Sequence, residues 1–480
     1  MTYDLLIRNG TIVTAKASFA ADLAVQDGRI AAIGADLGGA AKTVDATGKL
    51  VMPGGVDPHC HIEQVSGMGQ MNADTFETAT RSAAMGGTTS LICFAAQHKG
   101  QRLADVMQDY AARARRGAMV DHAFHILISD TSVPDFARDL GDLIMQGHRS
   151  IKVFTTYGIR LGDQDILNVM AIARAHGALV CVHAENDGLI AFTKSALLDA
   201  GLTRPEHHAI SHPRMAEIEA VERICRFAEY LDQPTMLFHI STRQGAAALA
   251  AARTRGAPVW GETCPHYLLS TAEVLQRDGI EGAKWMCSPP QRTHDDTEAL
   301  WQALAAGDLQ VISSDHAPYR YDETGKLSAG PDATFAQISN GMPGLEPRLP
   351  LLFDAMIGQA KGTPEQFADL TATAPAKLYG LQQKGHLAPG MDADIVIWDP
   401  QRSHTYGDND LHDNVGYNPW SGRTVQGWPT QVYLRGNLLV DDGAYHGQPG
   451  TGAWIDRPEP ALTPNGQQAP ELRFIESHRP

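Results

Sequence analysis

The 480-residue sequence predicts an α/β fold: a TIM-like (β/α)8 barrel with a small β-sandwich domain built from both chain ends. Three observations carry this reading. Apolar runs of strand length alternate with helical patterns through the middle of the chain, as in a parallel sheet covered on its outer face. Eight such runs fit in roughly 250 residues, the usual size of a closed (β/α)8 barrel. The two ends instead carry short strands split by turn residues, each stretch too short to bury a core by itself.

Each element has a local reason. At the N-terminus Leu5-Leu6-Ile7-Arg8 runs into Asn9-Gly10, which reads as a hairpin turn before Thr11-Ile12-Val13. Residues 22–25 and 29–33 repeat the pattern around Asp27-Gly28. The eight barrel strands are expected at an entry on Val56 and at 88–94, 122–128, 151–154, 179–183, 236–240, 258–262 and 311–315. Between the first two, Asp74 stands as a helix N-cap with Glu77 three residues on, and Gly86-Gly87 stops the helix. Residues 165–176, 215–231 and 296–306 show apolar side chains at helical spacing. Strand texture returns at 394–398, 431–434 and 438–440. The expected division is therefore 1–52 and 385–449 for the two parts of the sandwich and 53–384 for the barrel. Residues 450–480 form a Pro-rich polar arm, partly disordered or set at a subunit interface.

Composition narrows the function. With 39 Lys+Arg against 55 Asp+Glu the net charge is −16, and no basic cluster offsets it, which argues against nucleic acid or an anionic membrane as the partner. No apolar run reaches the ~18 residues of a membrane span, and the N-terminus lacks signal-peptide texture. The six cysteines are scattered without a CxxC, so the expected compartment is a reducing cytoplasm.

Active sites of such barrels lie at the C-terminal ends of the strands. There the expected first strand ends in His59-Cys60-His61, the fourth carries Lys152, the fifth ends in His183, the sixth in His239 and the eighth in Asp315. The i, i+2 spacing puts His59 and His61 on one face of an extended segment, where they can share an ion. One histidine at a strand end is an ordinary core or cap residue; four at the same mouth, with a carboxylate, point to metal. This set exceeds what one tetrahedral ion needs and under-serves two, which require a bridging anion. A neutral Lys152 that takes up CO2 as a carbamate supplies such a bridge, whereas a protonated one would be repelled. Cys60 and Cys287 read as packing residues, and His266 and His316 as structural hydrogen bonders.

The sequence resembles the cyclic amidohydrolases of the amidohydrolase superfamily, in particular dihydropyrimidinases and hydantoinases. The resemblance runs through Pro53-Gly54-Gly55-Val56-Asp57-Pro58-His59-Cys60-His61, Lys152-Val153-Phe154-Thr155-Thr156-Tyr157, Val182-His183-Ala184-Glu185-Asn186, His239-Ile240-Ser241, Glu262-Thr263-Cys264-Pro265-His266-Tyr267, Cys287-Ser288-Pro289-Pro290 and Ser313-Ser314-Asp315-His316-Ala317-Pro318. It implies two divalent ions, zinc first and manganese or cobalt as alternatives. His59, His61, carbamylated Lys152 (N6-carboxylysine) and Asp315 would hold one; Lys152, His183 and His239 would hold the other. It further implies that Asp315 takes the proton of the attacking water and passes it to the leaving ring nitrogen. Tyr157 would donate to the developing oxyanion, and backbone groups at Ser288 and Asn340 would grip the ring amide. The products would be N-carbamoyl amino acids, and the assembly a homotetramer.

Substrate choice within the resemblance turns on two positions. Dihydroorotases carry an Arg just past the HxH pair to hold a carboxylate; here Glu63 stands there and is expected to repel one. Allantoinases typically lack the tyrosine five residues after the lysine, which this chain has as Tyr157. Dihydropyrimidines and 5-substituted hydantoins are the expected substrates. An imidase, an allantoinase-like enzyme and a non-catalytic scaffold of the same fold are the alternatives. The walls for the exocyclic substituent are expected from the loop through Ile62-Glu63-Gln64-Val65, Gly67 and Gly69 and from the loop after Lys152.

Overall fold

The computed structural model describes residues 2–478. The chain opens with β1 (Tyr3–Val13), β2 (Ser18–Gln26), β3 (Arg29–Gly34), β4 (Ala40–Asp45) and β5 (Leu50–Pro53). The barrel strands follow as β6 (Gly55–Cys60), β7 (Thr88–Ala96), β8 (Asp121–Leu127), β9 (Ser150–Phe154), β10 (Leu179–His183), β11 (Thr235–Leu237), β12 (Val259–Thr263) and β13 (Val311–Ile312). The last strands are β14 (Ile395–Thr405), β15 (Thr424–Leu434), β16 (Asn437–Asp441) and β17 (Ala444–Tyr445).

Strands β6 to β13 pair in chain order and all in parallel. β7 to β10 are buried along their whole length, as expected of strands covered by helices outside and by the barrel core inside. The sixth and eighth strands are shorter than the sequence suggests. β11 stops at Leu237 and β13 at Ile312, because His239 and Asp315 take left-handed backbone conformations (φ 41° and 47°) that a ladder does not admit.

Among the described residues the seam between β6 and β13 has no ladder and is closed by a single bridge, a backbone bond and side chains. Cys60 and His316 form a single parallel bridge, and the His61 N–H donates to the His316 carbonyl at 2.8 Å. The Asp57 carboxylate accepts from the backbone N–H groups of His59 and Ser314, both at 3.2 Å. Across the seam lies Arg348, fully buried on the helix Leu345–Phe353. It donates to the carbonyls of Val56 (3.0 Å) and Ile312 (3.1 Å) and to the Thr88 hydroxyl, with Asp57 3.6 Å from its Nε.

Both chain ends meet in one nine-stranded sheet, in which β14 pairs antiparallel with β5 (Val51 opposite Ile397). Its core is separate from that of the barrel and includes Leu5, Ile7, Leu23, Val25, Val51, Ile395 and Ile397. The expected hairpin at Asn9-Gly10 is absent: β1 runs through it as a bulge, pairing with β4 before it and with β5 after it. Asn9 sits at φ 62° and donates to Asp45 at 3.0 Å, while Gly10 lies so close to Val51 that a Cβ would stand 2.7 Å from its methyl. Asp27-Gly28 is a turn as expected, with both residues at positive φ between β2 and β3. The first barrel helix, Phe76–Met85, is capped by Thr75 rather than Asp74. Asp74 instead accepts from His316 Nε2 at 2.8 Å and from the Asn414 N–H at 2.8 Å.

The segment after Pro449 lies across the N-terminal side of its own barrel, opposite the mouth. His122 donates to the Ala453 carbonyl and accepts from Ile455, and Trp454 stacks near Phe124. Arg457 is fully buried and donates to the Phe124 carbonyl (2.7 Å) and the Ser150 hydroxyl (2.9 Å). Trp420 packs on Trp285, and Trp428 on His404.

Arg348→Met should cost about 3–5 kcal/mol, because it strands a buried carboxylate and two carbonyls at the barrel seam. Arg402→Met, which breaks a surface pair with Asp442, should cost no more than ~1 kcal/mol. Thermal and denaturant midpoints of the two variants check the contrast.

Candidate metal centre

The mouth of the barrel gathers all six residues singled out at the strand ends. His59 comes from β6, with His61 just beyond it, and His183 is the last residue of β10. Lys152 lies in the middle of β9, and its side chain reaches the same mouth. His239 and Asp315 stand just past β11 and β13 on the strained left-handed turns, which cost on the order of 1–3 kcal/mol each. His59 Nε2 lies 3.0 Å and His61 Nε2 3.6 Å from Asp315 Oδ1. These three residues offer ligand atoms that all fall within 4.8 Å of one another. The rings of His183 and His239 are 4.4 Å apart, and His59 and His239 are 5.4 Å apart, centroid to centroid.

Lys152 is the unusual member. It is buried, and its ammonium has no hydrogen-bond partner among the described residues. Instead it faces the rings of Phe238 (4.0 Å), Phe154 (4.6 Å) and Phe94 (5.4 Å). Burial pulls its pKa down to about 8 against the opposing charges of Asp315 and Glu262. Burial would raise the Asp315 carboxyl, but the charge and hydrogen bond of His59, helped by His61 and His239, hold it well below the usual carboxylate range. His239 is pushed well below the usual range by burial and by the charges of His183 and Lys152, and its buried Nδ1 has no partner among the described residues. Four imidazoles, an ionised carboxylate and a lysine with no hydrogen-bond partner among the described residues form a donor set suited to divalent cations.

Three groups that the sequence reading passed over fix the ring orientations. His59 Nδ1–H donates to Glu262 at the end of β12, and His61 Nδ1 meets Gln64 Oε1 at 2.7 Å. His183 Nε2 meets Glu185 at 2.8 Å, leaving Nδ1 toward the mouth, and the other oxygen of Glu185 takes His212 at 3.0 Å. Such partners set the tautomer and ligand basicity of a metal-binding imidazole. The signal for two of them was local: Glu185 follows His183 by two residues and Gln64 follows His61 by three. Glu262 is 203 residues from His59 and has no such signal.

The cavity over this group has a volume of about 330 Å3. Tyr157 enters it on a left-handed backbone (φ 70°), and its hydroxyl is buried beside Ser288 and Asn340. Burial, then the charge of Glu185, push this phenol well above its usual range, so it remains a donor. Asn340 Nδ2 donates to Ser288 Oγ at 2.9 Å, which brings the two expected ring-binding segments together. The expected loops do line the cavity, through Gln64, Ser66 and Met68 on one side and Gly158 and Ile159 on the other. Glu63 does not. Its carboxylate accepts from the Phe76 N–H at the start of a helix (3.0 Å) and lies near Arg113, so it repels nothing in the cavity. Cys60 contacts Cys93 at 3.5 Å, and His316 bonds Asp74, both structural as expected.

Comparison with known proteins places this geometry. The sequence profile of the Amidohydrolase family matches residues 50–439. The D-hydantoinase of Ralstonia pickettii is 38% identical over 459 residues, covering 95% of this chain and 99% of that protein. The D-hydantoinase of Geobacillus stearothermophilus is 39% identical over 457 residues, covering 94% and 96%. Among solved structures, the dihydropyrimidinase of Brevibacillus agri superposes with a TM-score of 0.91 at 36% identity, covering 94% of this chain and 98% of that one.

Replacing Glu262 by Gln keeps the shape but removes the charge that orients His59. Metal affinity should fall about 10–100-fold with the fold intact, measured by competition with a chromogenic chelator.

Proposed function

Since the chain belongs to the amidohydrolase family, among its hydantoinases and dihydropyrimidinases, we propose that it opens the cyclic amide bond of dihydropyrimidines or 5-substituted hydantoins. The products are N-carbamoyl amino acids. One observation carries the reading: a buried lysine with no hydrogen-bond partner among the described residues sits at a mouth ringed by four histidines and a carboxylate. His59, His61, Lys152 and Asp315 would hold one divalent ion, and Lys152, His183 and His239 the other. As the carbamate, Lys152 would serve both ions, a role supported by its burial and lowered pKa. The nitrogen-rich set suits zinc, with manganese and cobalt the alternatives that metal analysis separates. When bound, such ions supply Lewis acidity and an acidified water to amide hydrolysis.

The chain's own residues do the rest. Asp315, ionised at neutral pH, takes a proton from the attacking water and returns it to the leaving ring nitrogen. Tyr157 keeps its proton and donates to the carbonyl oxygen as it gains charge. Ser288 and Asn340 present the segments that hold the ring amide. A cavity of about 330 Å3 is near the lower end for ligand sites and accommodates one ring with a modest substituent.

A homotetramer is part of this reading. Exposed Phe192, Ile210 and Met215, on the neighbouring helices Asp187–Asp199, His208–Ser211 and Arg214–Leu231, support a subunit contact there. The six free, buried cysteines support a reducing cytoplasm, and no helix among the described residues is long and apolar enough to cross a membrane.

The test is a ring-opening assay across dihydrouracil, hydantoin, 5-phenylhydantoin, allantoin, dihydroorotate and succinimide, with metal analysis alongside. About two metal equivalents per chain are expected for a paired site, with turnover of the first three substrates. Lys152→Ala should lose activity and most of the metal, since the nearby carboxylates Glu262 and Glu185 are already engaged by His59 and His183; near-normal turnover would sink the carbamate. Tyr157→Phe keeps the ring and the metals. It should lose on the order of 10²–10³ in turnover with little change in apparent binding, the usual loss for one oxyanion donor. If Tyr157 is only a wall, the Phe variant turns over hydantoin normally and shifts only its handling of 5-phenylhydantoin.

A further inference from the structure

A second buried lysine lies outside the mouth and has a different environment. Lys326 is 0% exposed, and none of the described carboxylates lies within ion-pair distance of it. Its ammonium donates to two backbone carbonyls, Ser339 at 2.9 Å and Met286 at 3.3 Å. Ser339 immediately precedes Asn340, and Met286 precedes Cys287 and Ser288. The two segments are joined to each other as well: the Gly341 N–H donates to the same Met286 carbonyl at 2.9 Å, and Asn340 donates to Ser288. The lysine is delivered inward by a tight local fold. Its own N–H donates to the Arg320 carbonyl at 2.8 Å, and Gly325 approaches Arg320 so closely that a Cβ would stand 2.3 Å from that oxygen.

Burying an ammonium among neutral carbonyls is costly, and an apolar side chain would fill the same space without that cost. Burial accordingly pulls Lys326 down to about 7, with Cys287 the one group opposing. A polar amine kept there at such expense has work to do on the carbonyls it holds. We propose that Lys326 is a positioning residue that clamps the 286–288 and 339–341 segments into one rigid wall for the ring amide. The inference rests on the substrate reading above for what the wall holds, but the clamp itself is a property of the chain. Both segments are irregular, and neither belongs to a strand of the barrel, so no sheet ladder fixes their separation. The lysine takes the place of such a ladder.

The test uses the full-length enzyme and Lys326→Met, which keeps chain length and volume while removing the charge and both donors. Hydrogen–deuterium exchange of peptides covering 286–291 and 338–343 should speed up about tenfold or more, the effect of losing a charge-assisted hydrogen bond. Exchange elsewhere in the barrel and metal content should not change. On hydantoin the KM should rise by a similar factor while kcat stays within about threefold, the mark of lost positioning rather than lost chemistry. Unchanged exchange in those two peptides would overturn the clamp. So would faster exchange spread evenly over the barrel with KM unchanged, because Lys326 would then be only a stability element. If Lys326→Met melts well below the wild type, Lys326→Gln, which keeps a neutral donor, is read in its place and should fall between the two. Wild-type enzyme that opens none of the rings would defeat the substrate reading, and the exchange comparison would still decide the clamp.

Discussion

The structure is organised around the removal of many ionisable groups from water at one end of a barrel. Four imidazoles, a lysine and three carboxylates, Asp315, Glu262 and Glu185, lie within a few ångströms of one another, all buried except the partly buried His61 and Asp315. An isolated charge in such a place costs several kcal/mol, so each group must be matched by another or by a bound cation. Glu262 and Glu185 match the outward nitrogens of His59 and His183. Among the described residues the groups left over are the inward ones: the His239 nitrogen and the Lys152 ammonium, beside an Asp315 carboxylate shared between His59 and His61. Their failure to satisfy one another makes the mouth a metal-binding surface rather than a packed core.

That arrangement requires a rigid support, because a displacement of about 1 Å in a reacting group can cost 10²-fold in rate. The parallel ladder from β6 to β13 supplies it on seven of the eight strand-to-strand junctions. At the eighth the strands carry the most ligands, and the left-handed turn at Asp315 ends β13 early. Arg348, Asp57 and Ser314 replace the missing ladder with side-chain bonds. The tail after Pro449 stiffens the opposite side, with Arg457 reaching into the barrel floor. The nine-stranded sheet ties the two chain ends together on a core of its own and leaves the mouth clear.

Much of this was legible in the sequence because its causes are local. Strand-length apolar runs, helical spacing and the order of strand-end ligands are properties of neighbouring residues, and the His59–His61 spacing fixes a shared face whatever surrounds it. Asn9-Gly10 shows the limit of that reading. A left-handed Asn followed by Gly suits a hairpin and a bulge equally, and the choice was made by Asp45 and Val51, more than 30 residues away. Asp74 shows it again: a competent N-cap was diverted to His316, and Thr75 took its place.

The sequence by itself determined that this chain is a (β/α)8 barrel with six metal-ligand candidates at one mouth, since periodicity and strand-end placement do not depend on distant partners. Only the tertiary structure decided which acids orient the histidines, that Glu63 faces a helix terminus rather than the cavity, and that Lys326 holds the carbonyls of Met286 and Ser339. The physical reason is one of range. A hydrogen bond is decided within about 3 Å in space, and the Glu262–His59 pair closes that distance across 203 residues of chain.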